Sequence, residues 1–138
     1  MSLQDKIVYK INDNFHDIIY TRNILKSLDR RINELNSDKK IVFIYDENIS
    51  HHIIDDISLG LKLTGCKILS KKIKSLKKNK NIQNVLDLIK LFSNLSLTKK
   101  SIVIVCGGGV IGDLVALASC LYKRGLIYIN IASSMTAL

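Results

Sequence analysis

The 138 residues contain no proline and no tryptophan, only seven glycines and three cysteines, and 6% aromatic residues. Three cysteines are too few for a disulfide-stapled miniprotein, and seven glycines are too few for a collagen-like repeat. A chain that is 47% hydrophobic and 24% charged is not a disordered one either. No apolar run reaches the ~18 residues that a membrane crossing demands. The longest candidate, Ser101 to Ala118, is interrupted by Gly107 to Gly109 and by Asp113. The length suits one domain, 1–138, and a domain of that size buries about two thirds of its unfolded surface.

Cys66, Cys106 and Cys120 are an odd number, widely spaced among apolar or small neighbours, which suits packing in a reducing compartment. The opening MSLQDKIVYK has no apolar core of a secretory signal, so the expected location is the cytoplasm. The formal net charge is +9. Residues 1–100 hold 19 Lys and Arg against 11 Asp and Glu, and seven lysines lie between Lys67 and Lys80. Few aromatic residues accompany them to serve as stacking platforms, so the reading is a solvated loop rather than a nucleic-acid surface.

Alternation in Lys6 to Ile11 predicts a short strand with one wet face. Ile18, Ile24, Leu25, Leu28, Ile32 and Leu35 recur at helical spacing and predict a helix over Asp17 to Leu35. Ile41 to Tyr45 is continuously apolar and short, the pattern of a strand buried on both faces, and Asp46, Glu47 and Asn48 end it. A helix over Ile53 to Leu63, capped by Gly65, leads to a strand at Cys66 to Leu69. After the lysine-rich connection, Ile82 to Leu95 reads as a helix and Ser101 to Cys106 as a second fully buried strand. Gly107 to Gly109 form a turn, Asp113 to Lys123 a helix ended by Gly125, and Leu126 to Ile131 the last strand. No internal repeat or interdomain linker is apparent.

Buried strands alternating with helices define an α/β fold, a Rossmann-like, mostly parallel sheet with helices on both faces. Such sheets bind ligands at the carboxyl ends of their strands. Asp46 to Asn48, Gly107 to Gly109 and Ala132 to Ser134 each follow a predicted strand and so fall on one rim. Gly107, Gly109 and Gly112 satisfy G-x-G-x-x-G between a buried strand and a helix. Absent side chains let backbone N–H groups and a helix N-terminus approach a pyrophosphate; the alternative is a tight turn with packed glycines. The acid expected about 20 residues further on, to hold ribose hydroxyls, is missing, since Ala132, Ser133 and Ser134 stand there. Asp46 offers a carboxylate on an earlier strand instead. Asp113 reads either as a site carboxylate or as a first-turn acid stabilised by the helix dipole.

The string GGGVIGDL at Gly107 to Leu114, then LYKRG at Leu121 to Gly125, a strand and IASSMTAL, resembles the 3-dehydroquinate synthase family. Asp46, Glu47 and Asn48 resemble that family's strand-end Asp-x-Asn, and Lys80 falls at the lysine of its Gly-Glu-x-x-Lys. The resemblance implies an NAD-binding domain in which NAD transiently oxidises a hydroxyl of a phosphorylated seven-carbon sugar acid before phosphate elimination and ring closure. It implies that Asp46 and Asn48 hold the adenosine ribose region with Lys80 nearby. It further implies that Gly108, Gly109 and Val110 cradle the pyrophosphate, that Asp113 faces the nicotinamide half, and that Ser133 and Ser134 make hydroxyl contacts. Arg124 corresponds to an arginine that reaches substrate phosphate across a homodimer interface. Its alternative is a surface cation at a helix end.

The sequence departs from the family pattern at Lys77, where the family has a glutamate, and at Ala132 to Thr136, where it has Pro-Thr-Thr-Leu-Leu. It stops at Leu138, so the family's C-terminal helical domain, with the Glu and two His that bind zinc or cobalt, is not in it. His16, His51 and His52 do not supply a metal site, because adjacent histidines on a helix point apart. The expectation is therefore the cofactor domain of a two-domain lyase, inactive as the isolated chain. The alternative is a non-catalytic nucleotide- or phosphate-binding module of the same fold. The resemblance does not separate 3-dehydroquinate synthases from the related 2-deoxy-scyllo-inosose synthases.

Overall fold

The computed structural model describes residues 4–11, 14–21, 23–35 and 37–132. Its centre is a four-stranded parallel sheet of β3 (Lys40–Asp46), β4 (Lys67–Ile73), β5 (Ile102–Gly107) and β6 (Ile127–Ala132), ordered β4-β3-β5-β6. Helices α1 (Ile24–Glu34), α2 (His51–Leu63), α3 (Ile82–Asn94) and α4 (Gly109–Leu121) cover it. The strand alternation assigns the two faces. Ile41, Phe43, Ile102 and Ile104 pack with α1 and α2, while Val42, Ile44, Val103 and Val105 pack with α3 and α4. The chain steps from β3 out to β4, then crosses back to β5 and on to β6. That reversal puts α2 on one face and α3 and α4 on the other, as a constant crossover hand requires. The two strands read as buried on both faces, β3 and β5, are the central pair.

The helix expected over Asp17 to Leu35 divides in two. Residues Asn14–Thr21 form strand β2, paired antiparallel with β1 (Gln4–Ile11) in a separate two-stranded sheet, with Ile7 opposite Ile18. The helix begins at Ile24, because the Asn23 side chain accepts from Lys26 N at 3.0 Å and caps it. Periodic apolar spacing continued across that cap, but Phe15, Ile18, Ile19, Tyr20 and Thr21 are strand formers and pair accordingly.

The strand expected at Cys66 to Leu69 runs on to Ile73, so Lys71 and Lys72 belong to β4 and not to a loop. An edge strand carrying outward lysines is protected against pairing with another chain. A 3-10 turn, Lys77–Asn79, follows it. The packing expected of all three cysteines holds for buried Cys106, whereas Cys120 is exposed on α4.

At the opposite end of the sheet, Asp38 ties together the starts of β3 and β5. Its Oδ2 accepts from Thr98 Oγ1 and from Ser101 Oγ, each at 2.7 Å, and its Oδ1 accepts from Lys40 N at 3.0 Å. Burial pushes this carboxyl up, but the hydrogen bonds outweigh it and hold the pKa below the ordinary 3.8. A depressed folded-state value gives stability that is complete above pH 3.8 and is lost as pH falls through the lower value. Asp38→Ala is expected to cost about 2 kcal/mol at pH 7. In urea titrations the gap between variant and parent should close as the pH is taken below that range.

Candidate functional site

The switch point of the sheet lies between β3 and β5, and the end of each strand contributes a different group there. Asp46 closes β3 and is only 8% exposed. Its Oδ1 accepts from Asn48 N at 3.0 Å and from Asn48 Nδ2 at 3.2 Å, so the carboxylate organises its own turn. Among the described residues its other oxygen has no partner. Glu47 N donates to Ile73 O at 2.9 Å, which fastens this turn to the end of β4.

Gly107 closes β5 beside Asp46. A Cβ built on Gly107 would overlap Ile111 Cγ2 and stand 3.2 Å from Asp46 Cβ. Gly108 differs. Its backbone is extended, at φ −85° and ψ −169°, which any residue adopts, and a Cβ there would have nothing within 4 Å. The fold needs Gly107 to be glycine, but it does not need Gly108 to be one. Gly108 caps α4 without a side chain, and the first helical bond runs from Gly112 N to Gly108 O at 3.1 Å. Among the described residues, the N–H groups of Gly109, Val110 and Ile111 have no acceptor. They lie at the positive end of the helix beside the open space at Gly108. Val110 contributes only backbone to this site, because its side chain packs against the core.

The helix starts at Gly109, four residues before the expected Asp113, because Gly108 supplies the non-helical cap and the next two residues are already helical. Asp113 therefore stands in the second turn and not the first, and the first-turn dipole reading is corrected. Its Oδ2 instead accepts from Lys80 Nζ at 2.6 Å, in a pair more than half exposed. Two residues singled out separately, Lys80 and Asp113, thus meet across the end of the sheet. A pair this exposed holds weakly and can open to a ligand.

One further side chain that reaches this end, Tyr128, was not legible in the sequence, whereas Cys106 was expected to be packed. Tyr128 on β6 donates to Gly112 O at 3.1 Å and pins the first turn of α4. Burial, reinforced by the Asp113 charge, pushes its pKa up to about 12, so the donor keeps its proton. Burial and then Asp46 push the Cys106 thiol up to about 11, which makes it inert as a nucleophile. Tyr128 becomes identifiable only once the β5–β6 register, Val103 opposite Tyr128, is known.

Ser133 and Ser134 lie outside the described residues; the preceding Ala132 pairs with Gly107. Arg124 is not brought to this rim. It follows the far end of α4, a helix of 13 residues and hence ~20 Å long, where it is exposed with φ 64°. His51 and His52 open α2 and are exposed. Among the described residues no group of three or more His, Cys, Asp or Glu could hold a metal ion, and no helix is long and apolar enough to cross a membrane.

Replacing Gly107 by Ala is expected to destabilise the protein by about 1–3 kcal/mol, the cost of overpacking. Gly108→Ala should stay within about 0.5 kcal/mol of the parent. Denaturant midpoints of the two variants measure the difference.

Residues 70–138 match the family described as 3-dehydroquinate synthase N-terminal. The chain is 30% identical over 128 residues to the 3-dehydroquinate synthase of Clostridium acetobutylicum, covering 93% of this chain and 36% of that protein. It therefore spans little more than a third of that relative's length. Its fold is similar to the crystal structure of a 2-deoxy-scyllo-inosose synthase, with a TM-score of 0.81 at 16% identity, over 95% of this chain and 36% of the other. A 2-deoxy-scyllo-inosose synthase complexed with carbaglucose-6-phosphate, NAD+ and Co2+ gives 0.79 at 14% identity, over 94% and 35%.

Proposed function

Because the chain belongs to the 3-dehydroquinate synthase N-terminal family, we propose that its rim is the NAD-binding half of a 3-dehydroquinate synthase site. The observation that carries this reading is the open space at Gly108 in front of three unpartnered N–H groups. A diphosphate fits such a place, since its charge suits the helix terminus and no side chain obstructs it. The remaining oxygen of Asp46 accepts from a ribose hydroxyl, with Asn48 beside it. Gly108, Gly109 and Val110 present backbone to the diphosphate. Lys80, drawn to Asp113, leaves a cation and a carboxylate at the edge of the same site. Ser133 and Ser134 follow the strand that pairs with Gly107, and we assign them hydroxyl contacts with the cofactor.

Bound NAD supplies reversible hydride acceptance from a substrate hydroxyl. The residues of this chain hold and orient the dinucleotide, and Tyr128 keeps the first turn of α4 in place while they do so. In the whole protein the reaction is the phosphate-eliminating cyclisation of 3-deoxy-arabino-heptulosonate 7-phosphate to 3-dehydroquinate, in the shikimate pathway of the cytoplasm. We assign the zinc or cobalt of that reaction to groups outside the residues described. Arg124 stands too far from its own rim to touch the same ligand, so its substrate contact requires a second copy. Exposed Leu117 and Leu121 on α4 lie close to it in sequence and suit a homodimer contact.

Calorimetric titration with NAD+ is expected to give binding that Gly108→Val weakens at least tenfold while leaving the unfolding midpoint unchanged. Asp46→Ala should weaken it as well. Equal heats for parent and both variants would remove the nucleotide reading. The 138-residue chain assayed alone is expected to show no turnover of the heptulosonate phosphate, and measurable phosphate release would contradict that.

A further inference from the structure

Between Asp56 and Asp87 the chain carries eight lysines and no acid. Seven of them, from Lys67 to Lys80, fall on β4 and the turn after it, and of these only Lys80 forms an ion pair among the described residues. β4 is also an edge: β3 pairs with one side of it, and among the described residues no strand pairs with the other. Lys67 N donates to Lys39 O at 2.8 Å and Ile73 O accepts from Glu47 N at 2.9 Å, so the odd-numbered residues of β4 direct their backbone groups to β3. In a parallel ladder the alternate residues face the other way, and Ile68, Ser70 and Lys72 therefore turn their N–H donors and C=O acceptors outward.

Free backbone of this kind recruits a further strand unless something prevents it. The lysines keep out a second copy of this edge, which would lay like charge against like, but they favour an extended segment of the opposite charge. Each face of such a strand meets one lysine between apolar or small neighbours. Leu69, Lys71 and Ile73 stand on the face of α3 and α4, and Ile68, Ser70 and Lys72 on that of α2. At the carboxyl end of the first face lies a depression of about 250 Å³ whose apolar lining is Ile73, Leu88 and Leu114. Lys71, Lys74 and Asp87 also border it, and the amides of Asn79 and Asn84 are spent on Lys74 O and Asn79 O. That lining suits an aliphatic side chain, and the Asp87 carboxylate, which accepts from Gln83 at 3.0 Å, disfavours an acid at this one place. Strand addition works in this way: main-chain bonds supply affinity, and pockets for alternate side chains supply specificity.

We propose that the outer edge of β4 docks an acidic, extended peptide segment of another protein, which adds as a further strand and seats an aliphatic side chain in the depression beside Ile73. The proposal stands apart from the nucleotide reading of the rim. The probe is a dye-labelled decapeptide of alternating Glu and Val, followed by fluorescence anisotropy. It is compared with the same peptide N-methylated at every backbone amide and with a single-stranded DNA decamer. The expected result is saturable binding of the unmodified peptide, tighter than that of the DNA and weakened at least tenfold by N-methylation. Ser70→Pro removes one outward N–H without touching the ladder to β3, and should weaken the peptide about tenfold. Lys71→Glu combined with Lys72→Glu should weaken it at least as much. All three residues are exposed, and an unchanged urea midpoint checks that each variant is folded. Equal binding of the methylated peptide would overturn the added strand in favour of a diffuse positive field, and tighter binding of the DNA would overturn it in favour of a nucleic-acid surface. Absence of peptide binding, or binding that the charge reversal leaves unchanged, would overturn it as well.

Discussion

Close approach of two strand ends, permitted by one absent Cβ, is the constraint on which the site depends. Gly107 lies against Asp46 and Ile111 with no room for a side chain. Any larger residue would push β5 away from β3 or α4 away from the sheet, and in either case the carboxylate and the helix terminus would separate. Gly108, one residue later, faces open space. The first glycine is explained by packing alone, whereas the second has no packing reason and borders open space.

Groups at this end divide into those consumed by structure and those left over. One Asp46 oxygen organises the turn to Asn48, the Val110 side chain packs against the core, Tyr128 holds Gly112 O, and Cys106 is buried and protonated. Left over are the other Asp46 oxygen, three helix N–H groups and the exposed Lys80–Asp113 pair. These are an acceptor, a row of donors and two opposite charges that separate cheaply. In space the acid stands on the strand next to the glycine turn, where a dinucleotide fold needs it, although it precedes that turn in the chain.

Much of this was legible in the sequence because buried strands are compositionally distinct. The apolar runs at Ile41 to Tyr45 and Ile102 to Cys106 became the central pair, and the three loops expected on one rim follow adjacent strands. The sequence was less informative where pattern and pairing competed. Apolar spacing ran through Asn23 without a break, so helix periodicity masked a strand whose partner lies in β1. Lysines at 71 and 72 suggested a loop, yet an edge strand tolerates them because only one of its sides is paired. The Lys80–Asp113 contact depends on a crossover that brings residues 33 apart together, which no local pattern encodes.

Pairing of β3 with β5 joins segments about sixty residues apart, with β4 and two helices threaded between them. Closing so large a loop costs chain entropy before any contact repays it, and topologies of this kind fold late at such junctions. The rim has no precursor in a partly formed chain, since its acid and its amides become neighbours only when the central ladder zips. A molecule that bridges them therefore recognises only the finished fold, and holding it deepens the native well for the whole sheet.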